Sequence, residues 1–164
     1  MTKFLAADLV STLTAKGLHL AIGESLTGGL LSASVVEVAG ASQVLLGSIV
    51  AYDTALKSAL LGVDHNLLSR RGAVDAEVAA QMAAGARTRL STAAAVEASQ
   101  TLGLACTGVA GPNEQDGKSV GTVFIAVDGP SGAIVREFHF EGDREQIRTE
   151  TVRQAIELAT AAIM

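Results

Sequence analysis

A chain of 164 residues with 49% hydrophobic side chains can bury a core of its own, so we expect one globular domain over residues 1–164. Acidic residues outnumber basic ones by 17 to 12 and aromatic residues make up 3%, which argues against a nucleic-acid-binding surface. The single cysteine, Cys106, excludes an internal disulfide and favours a cytoplasmic setting. No apolar run approaches the roughly 20 residues of a membrane span, so no membrane partner is expected.

The first third of the chain is predicted to alternate between helix and strand. Residues 18–22 form an apolar run typical of a buried strand, and residues 30–38 continue at helical spacing. Residues 44–52 are apolar and contain β-branched side chains, which predicts a strand buried on both faces. A helix ending near Lys16 is predicted ahead of them by apolar positions at three- and four-residue steps: Phe4, Leu5, Leu9, Val10 and Leu13.

Three helices are predicted in the middle of the chain. Thr54 is a candidate cap for a short helix that Gly62 ends. Residues 64–71 form another short helical turn. A longer, alanine-rich helix begins after Asp75 and persists toward Gln100.

The last part of the chain predicts a buried strand, a hairpin and a helix. The strand spans residues 102–106, and the hairpin joins residues 120–127 to residues 133–140. Asp143 is expected to cap the final helix. This order of elements predicts an α/β domain with a mixed sheet, parallel early and antiparallel in the late hairpin, sandwiched between helices.

Residues 23–29 are the first candidate for a chemical site. They follow the first predicted strand and set Ser25 and Thr27 beside Gly28 and Gly29 at the start of a helix. The unpaired backbone N–H groups and the positive end of the helix dipole at such a place can hold an anion, or the oxyanion of an acyl transfer. Alternatively, Ser25 only caps the helix and the glycines only allow tight packing.

A serine nucleophile needs a base, and Lys57 is the best candidate. His19 and His139 fall in strand patterns, and His65 has no second ligand at metal spacing, so structural roles are favoured for the histidines. Lys57 follows a strand exit, and burial can lower the pKa of its amine until the neutral form takes the serine proton. The hydroxyl of Tyr52 could orient that amine. Alternatively, Lys57 is a solvated helix residue and Tyr52 an interfacial ring.

Two further stretches suit a phosphate or a carbonyl oxygen. Thr107, Gly108 and Gly111 belong to a glycine-rich stretch after a buried strand, which offers a second set of backbone donors or is simply a turn. Arg144 and Arg148 lie four residues apart at the start of the last helix, where both could clamp a phosphate or pair with neighbouring glutamates.

One apparent phosphate motif is rejected. Residues 111–119 imitate a P-loop, but five residues separate the glycines where the motif has four, and a strand follows where a helix should. Glu114 and Asp116 would also repel phosphate. The sequence therefore gives no support to a nucleoside triphosphatase.

Together these motifs resemble the CinA C-terminal domain family and, within it, the nicotinamide mononucleotide amidases. The resemblance runs from about Phe4 to the C-terminus. It rests on residues 24–29, Tyr52 with Lys57, and residues 60–63, 72–74, 107–112, 120–123 and 142–144 with Arg148. It implies a three-layer α/β/α sandwich in a single domain. Many relatives carry an additional N-terminal domain, so the stand-alone form is expected here.

The resemblance also implies an activity: hydrolysis of the carboxamide of nicotinamide mononucleotide to nicotinate mononucleotide and ammonia, with no metal and no cofactor. It makes Ser25 the nucleophile, Lys57 its base and Tyr52 a supporting hydroxyl. A small-molecule nucleotide substrate and a homodimer are expected. The candidate substrate-binding residues are Thr27, Gly28, Gly29, Thr107, Gly108, Gly111, Arg144 and Arg148.

A second hypothesis is a pyridine-nucleotide-binding or regulatory module that does not hydrolyse its ligand. Three departures from the family pattern support it. Thr54 stands where Asn is common, Arg71 where His or Tyr is common, and Thr101 where Asp is common.

Overall fold

The computed structural model describes residues 2–164, which form six α-helices and a five-stranded sheet. The helices are α1 Thr2–Lys16, α2 Leu30–Val36, α3 Thr54–Leu61, α4 His65–Arg71, α5 Ala76–Ala93 and α6 Arg144–Ile163. The strands are β1 His19–Glu24, β2 Leu45–Val50, β3 Thr101–Gly108, β4 Thr122–Gly129 and β5 Gly132–His139. No helix among these residues is long and apolar enough to cross a bilayer.

The sheet has the strand order β2-β1-β3-β4-β5. Strand β1 pairs in parallel with β2 and β3, whereas β3 with β4 and β4 with β5 are antiparallel pairs. This confirms the predicted mixed sheet. Because the carboxyl ends of parallel strands meet at one edge, Ser25 after β1, Tyr52 after β2 and Thr107 near the end of β3 lie at the same edge of the sheet.

Helices cover both faces of the sheet, which confirms the three-layer α/β/α sandwich. One core joins the sheet to α1, α2 and α6, and Leu13 and Ile156 are fully buried within it. The other core joins the sheet to α3, α4 and α5, with Leu61 and Met82 at its centre. Burial of these apolar faces on both sides holds the strand ends, and hence the candidate site, in a fixed geometry.

Two predicted burial patterns are wrong. Strand β2 is only half-buried rather than covered on both faces, because it is an edge strand with one neighbour, and Val50 at its end is 41% exposed. Phe4 is 78% exposed, because it lies off the stripe of α1 that faces the core. Ala6, Leu9, Val10 and Leu13 form that stripe.

Two predicted helix ends also differ. Asp53, not Thr54, caps α3, since its carboxylate accepts a hydrogen bond of 2.8 Å from the N–H of Ala55. Helix α5 stops at Ala93 instead of reaching toward Gln100. Ala95 has a φ of 54°, and this left-handed turn closes the helix although alanine rarely adopts it.

Candidate active site

Ser25 lies at the wall of a pocket of about 330 Å³, the lower end of the range for small-molecule sites. The pocket opens at the edge of the sheet where the parallel strands end. Its walls come from the turn after β1, the start of α3, the end of β3 with its following loop, and the first residue of α6. Ser25 itself is 7% exposed.

Lys57 lies directly beside Ser25. Its Nζ is 3.0 Å from the Oγ of Ser25, 2.7 Å from the carbonyl oxygen of Ala51 and 3.4 Å from that of Tyr52. A neutral amine keeps two N–H groups and one lone pair. With both N–H groups donated to the two carbonyls, the lone pair is left to accept the hydroxyl proton of Ser25.

Burial also changes the pKa of that amine. Lys57 is 1% exposed, and burial lowers the pKa of its amine from 10.5 to about 8, against the opposing effect of the negative charge of Asp53. Roughly a tenth of the amine is therefore neutral at pH 7. The alternative in which Lys57 is a solvated helix residue does not fit this position.

Glu24, the residue before Ser25, stabilises the turn through hydrogen bonds to its buried carboxylate. Its carboxylate is fully buried and accepts hydrogen bonds from the N–H groups of Gly29, Leu31 and Ser32 at 2.9, 3.1 and 3.0 Å. The hydroxyl of Thr27 donates a fourth hydrogen bond to the same carboxylate, and the hydroxyl of Ser48 on β2 donates a fifth. Burial alone would raise the pKa of this carboxyl group, but the hydrogen bonds hold it below its ordinary value.

The predicted anion cradle at residues 27–29 is therefore filled by the protein itself. Thr27 is buried, and its hydroxyl donates to Glu24 at 2.7 Å. Gly29 gives its N–H to the same carboxylate, and Gly28 gives its own to the carbonyl of Ser25 at 3.1 Å. None of the three lines the pocket. In this position the three residues shape the turn that carries Ser25, and their contact with substrate stays a prediction.

The two arginines do not act as a pair either. Arg144 lies on the pocket wall, where it donates to the carbonyl of Gly111 and to the hydroxyl of Tyr52, both at 2.8 Å. Arg148 points away and donates to the carbonyls of Leu26 and Thr27 at 3.0 and 2.8 Å. Only Arg144 is available to a ligand, whereas Arg148 fastens the turn.

Tyr52 contributes differently from the expectation. Its hydroxyl accepts from Arg144 and does not contact Lys57, while its backbone carbonyl is the group that faces the lysine. The ring is 59% exposed at the pocket mouth. Tyr52 therefore orients the arginine with its side chain and the amine with its main chain.

The end of β3 and the residues that follow it line the pocket. Thr107, Gly108 and Gly111 all lie on its wall. The hydroxyl of Thr107 donates to the carbonyl of Ala73 at 2.7 Å, which fixes the threonine in the wall. At Gly108 a Cβ atom would come within 2.8 Å of the carbonyl oxygen of Thr122, so the approach of β4 leaves no room for a side chain.

Sequence reasoning missed several residues of this site. Glu24 stood in the candidate turn without a role, although a carboxylate that ends a buried strand just before a helix is a signal for capping of the helix N-terminus. Asp53, Asn113 and Gln115 also line the pocket. The two amide residues belong to a polar loop whose path the local sequence does not indicate.

The remaining candidate ligands and nucleophiles are the metal-binding side-chain types and the single cysteine. Within residues 2–164, no three His, Cys, Asp or Glu side chains are grouped so that they could hold a metal ion. Cys106 is fully buried behind the turn, 3.3 Å from the hydroxyl of Thr27. Burial raises the pKa of its thiol to about 11, which keeps it neutral.

Residues 2–163 match the family model of the CinA C-terminal domain. The chain belongs to this family. A CinA-like protein of Frankia casuarinae is 45% identical over 94% of this chain, and a putative competence-damage inducible protein of Desulforamulus reducens is 43% identical over 87%. The aligned region makes up only 34% and 33% of those two relatives, so the chain spans about a third of their length.

Solved structures of the CinA family share the whole fold. The competence/damage inducible protein CihA of Agrobacterium tumefaciens superposes with a TM-score of 0.90 at 34% identity, covering 99% of this chain and 96% of that one. A CinA superfamily protein of Escherichia coli gives 0.87 at 29% identity, covering 99% and 90%. The order of strands and helices described above is therefore that of the family domain.

Two of the three departures from the CinA pattern lie away from the pocket. Thr54 is in the pocket wall. Arg71 does not line it and instead pairs with Asp75 at 3.6 Å. Thr101 begins β3 at the edge opposite Thr107, roughly 20 Å along the strand. Only Thr54 can affect ligand contacts directly.

Proposed function

We propose that this chain is a serine amidohydrolase that converts nicotinamide mononucleotide to nicotinate mononucleotide and ammonia. One observation carries the proposal: the hydrogen bond of 3.0 Å between Nζ of Lys57, 1% exposed, and Oγ of Ser25 in the wall of a pocket. The resemblance to the amidases of the CinA family supplies the substrate. The geometry supports the assignment of Ser25 as nucleophile and Lys57 as its base.

Acylation begins at the serine hydroxyl. The neutral amine of Lys57 takes the proton of Ser25, and the resulting alkoxide attacks the carboxamide carbon of the substrate. The positive charge of the pyridinium ring makes that carbon more electrophilic. The tetrahedral intermediate then collapses, the C–N bond breaks, and the leaving nitrogen takes the proton from Lys57 and departs as ammonia.

Deacylation repeats the proton transfers with water. Lys57, neutral again, takes a proton from a water molecule that attacks the nicotinoyl ester of Ser25. Collapse of the second intermediate returns the proton from Lys57 to the serine oxygen and releases a carboxylic acid, which gives its own proton to water to form the carboxylate product. The carbonyls of Ala51 and Tyr52 hold the amine in place through both halves, because they bind it in either protonation state.

The charges of the pocket suit a nucleotide with a positive ring and a negative phosphate. Arg144, held by Gly111 and Tyr52, is the cation at the mouth, and we assign it to the phosphate. Asp53 adds a carboxylate to the wall near Lys57, and we assign it to the pyridinium ring. The two ends of the proposed substrate thus meet groups of opposite charge.

The test is an assay of ammonia release from nicotinamide mononucleotide by the purified protein. Release by the wild type, and its loss in Ser25→Ala, would support the proposal. Ser34→Ala is the matched control, because this serine lies on α2 and bonds only to its own helix at the carbonyl of Leu30. No release by the wild type, or full activity in Ser25→Ala, would contradict hydrolysis by this serine.

A binding module without turnover is the second candidate. Its support is Thr54, which stands in the pocket wall at a position where relatives commonly carry Asn. Calorimetry with nicotinamide mononucleotide separates the two candidates. Binding without ammonia release would favour the module, whereas release that depends on Ser25 and Lys57 would remove it.

A further inference from the structure

The loop of residues 113–118, between β3 and β4, closes one side of the pocket. It brings Asn113 and Gln115 into the pocket wall. The loop folds back on itself, since Gln115 and Lys118 exchange two backbone hydrogen bonds of 3.1 and 2.8 Å. These bonds hold the loop in one compact turn, and contacts with the rest of the chain set its position.

Asp116 provides one fastening point. Its Oδ2 accepts a hydrogen bond of 2.9 Å from the N–H of Ala73, which lies 43 residues earlier in the chain, between α4 and α5. Ala73 also lines the pocket, and its carbonyl accepts from Thr107. Hydrogen bonds through Ala73 thus connect the loop to Thr107 at the end of β3.

The carboxylate of Asp116 packs against position 72, which must be a glycine. Gly72 has a φ of 76°, and a Cβ atom added there would overlap the carboxylate of Asp116. A side chain at position 72 would therefore push the loop away from Ala73. At the other end of the turn, Nζ of Lys118 lies 6.0 Å from the ring centroid of Phe124 on β4.

We propose that Asp116 is a positioning residue whose hydrogen bond to Ala73 holds Asn113 and Gln115 against the pocket, where their amides bind the hydroxylated sugar and phosphate part of a nucleotide. This rests on the proposed function for its substrate. Ser25 and Lys57 make no hydrogen bond with the loop. The fastened loop therefore contributes to substrate binding and to selection of the nucleotide over free nicotinamide, not to proton transfer.

The kinetic test compares four single variants and one double variant. Asp116→Ala and Gly72→Ala each break the same contact from opposite sides, so each should raise KM for nicotinamide mononucleotide about tenfold while kcat stays within about twofold. Their double variant should be no worse than either alone, because the contact is already lost. Asp116→Asn keeps an acceptor oxygen and should restore much of the binding. Glu114→Ala removes the same charge from the same loop and should leave KM unchanged.

Hydrogen exchange tests the fastening without any substrate. The amide of Ala73 should exchange slowly in the wild type and in Glu114→Ala, and faster in Asp116→Ala. If the wild type releases no ammonia, the amidase proposal fails. The role of Asp116 is then still tested by hydrogen exchange at Ala73 and by calorimetric binding of the nucleotide. Unchanged exchange at Ala73 in Asp116→Ala, or a fall in kcat with KM unaltered, would overturn it.

Discussion

The turn after β1 and the stretch after β3 leave the same edge of the sheet and both contain glycines, yet they use their polar groups in opposite ways. In the turn, Gly29 and the first residues of α2 give their N–H groups to the buried carboxylate of Glu24. Thr107 at the end of β3 and Gly111 just after it lie on the pocket wall instead. A glycine-rich helix start is no anion site when the chain supplies its own carboxylate there.

The same contrast separates the two arginines of α6. Arg148 donates to carbonyls of the turn and makes it rigid, while Arg144 donates to Gly111 and Tyr52 at the pocket mouth. Under the proposed function, one wall holds the nucleophile Ser25 in place and the other contacts the ligand. Substitutions on the two walls should therefore have different kinetic signatures.

The largest effect is expected at Lys57, the proposed base for Ser25. Lys57→Met keeps an apolar stem in the buried position but removes the proton acceptor, so turnover should fall by about two to four orders of magnitude with substrate affinity largely retained. Stopped-time ammonia assays and calorimetry measure the two quantities. Lys16→Met, at the end of α1, is the control. Turnover within tenfold of the wild type would reject Lys57 as the base.

Glu24 tests whether the turn depends on its internal anion. In Glu24→Gln an NH₂ group must face hydrogen-bond donors, so we expect the free energy of unfolding to fall by about 3 kcal/mol and turnover to fall as Ser25 loses its position. Urea unfolding at pH 7 measures the first. Glu37→Gln, at the exposed end of α2, should change stability by no more than about 0.5 kcal/mol.

The wild-type advantage over Glu24→Gln should also depend on pH. The pKa of Glu24 is lowered in the folded state, so its contribution to stability is present above the ordinary carboxyl pKa of 4.5 and is lost as the pH falls through the lower folded value. Unfolding curves of both proteins between pH 7 and pH 3 follow this loss. A difference that stayed constant with pH would mean that the charge of the carboxylate is not what holds the turn.

The arginines separate ligand binding from support of the turn. Arg144→Gln should lower kcat/KM for nicotinamide mononucleotide about tenfold to hundredfold but leave nicotinamide riboside unaffected, because only the nucleotide carries the phosphate. Arg148→Gln should lower kcat for both compounds alike, since it loosens the turn. Steady-state kinetics with the two substrates distinguishes these outcomes. A loss in Arg144→Gln that is equal for nucleotide and nucleoside would remove the phosphate assignment.

The fold could be predicted from the sequence because each element carries its own periodic pattern, and so could the pairing of Ser25 with Lys57, since both follow parallel strands. The misses share a different cause. The half-burial of β2 depends on strand order, which local periodicity does not encode. The contacts of Glu24 with Ser48 and of Asp116 with Ala73 join residues 24 and 43 positions apart. Such contacts exist only after the chain has folded.

The mildest test concerns the pH at which the base becomes neutral. With a pKa of about 8 for Lys57, kcat/KM should rise about tenfold per pH unit below 8 and level off above it, because only the neutral amine accepts the proton of Ser25. Asp53 raises this pKa, and Asn keeps the helix cap. Asp53→Asn should therefore shift the rising limb to lower pH by a fraction of a unit. A shift to higher pH would contradict this electrostatic role.

Titration of the Lys57 amine should also change the free energy of unfolding, independently of any substrate. Below about pH 8 the amine of Lys57 is protonated in both the folded and the unfolded chain. Between about 8 and 10.5 the folded protein has lost this proton while the unfolded chain still binds it, so the free energy of unfolding rises with pH over that window. Since other groups titrate there too, the quantity to measure is the difference between the wild type and Lys57→Met. A difference that does not grow with pH would mean that the amine is not desolvated, and the turn would then lack a base at neutral pH.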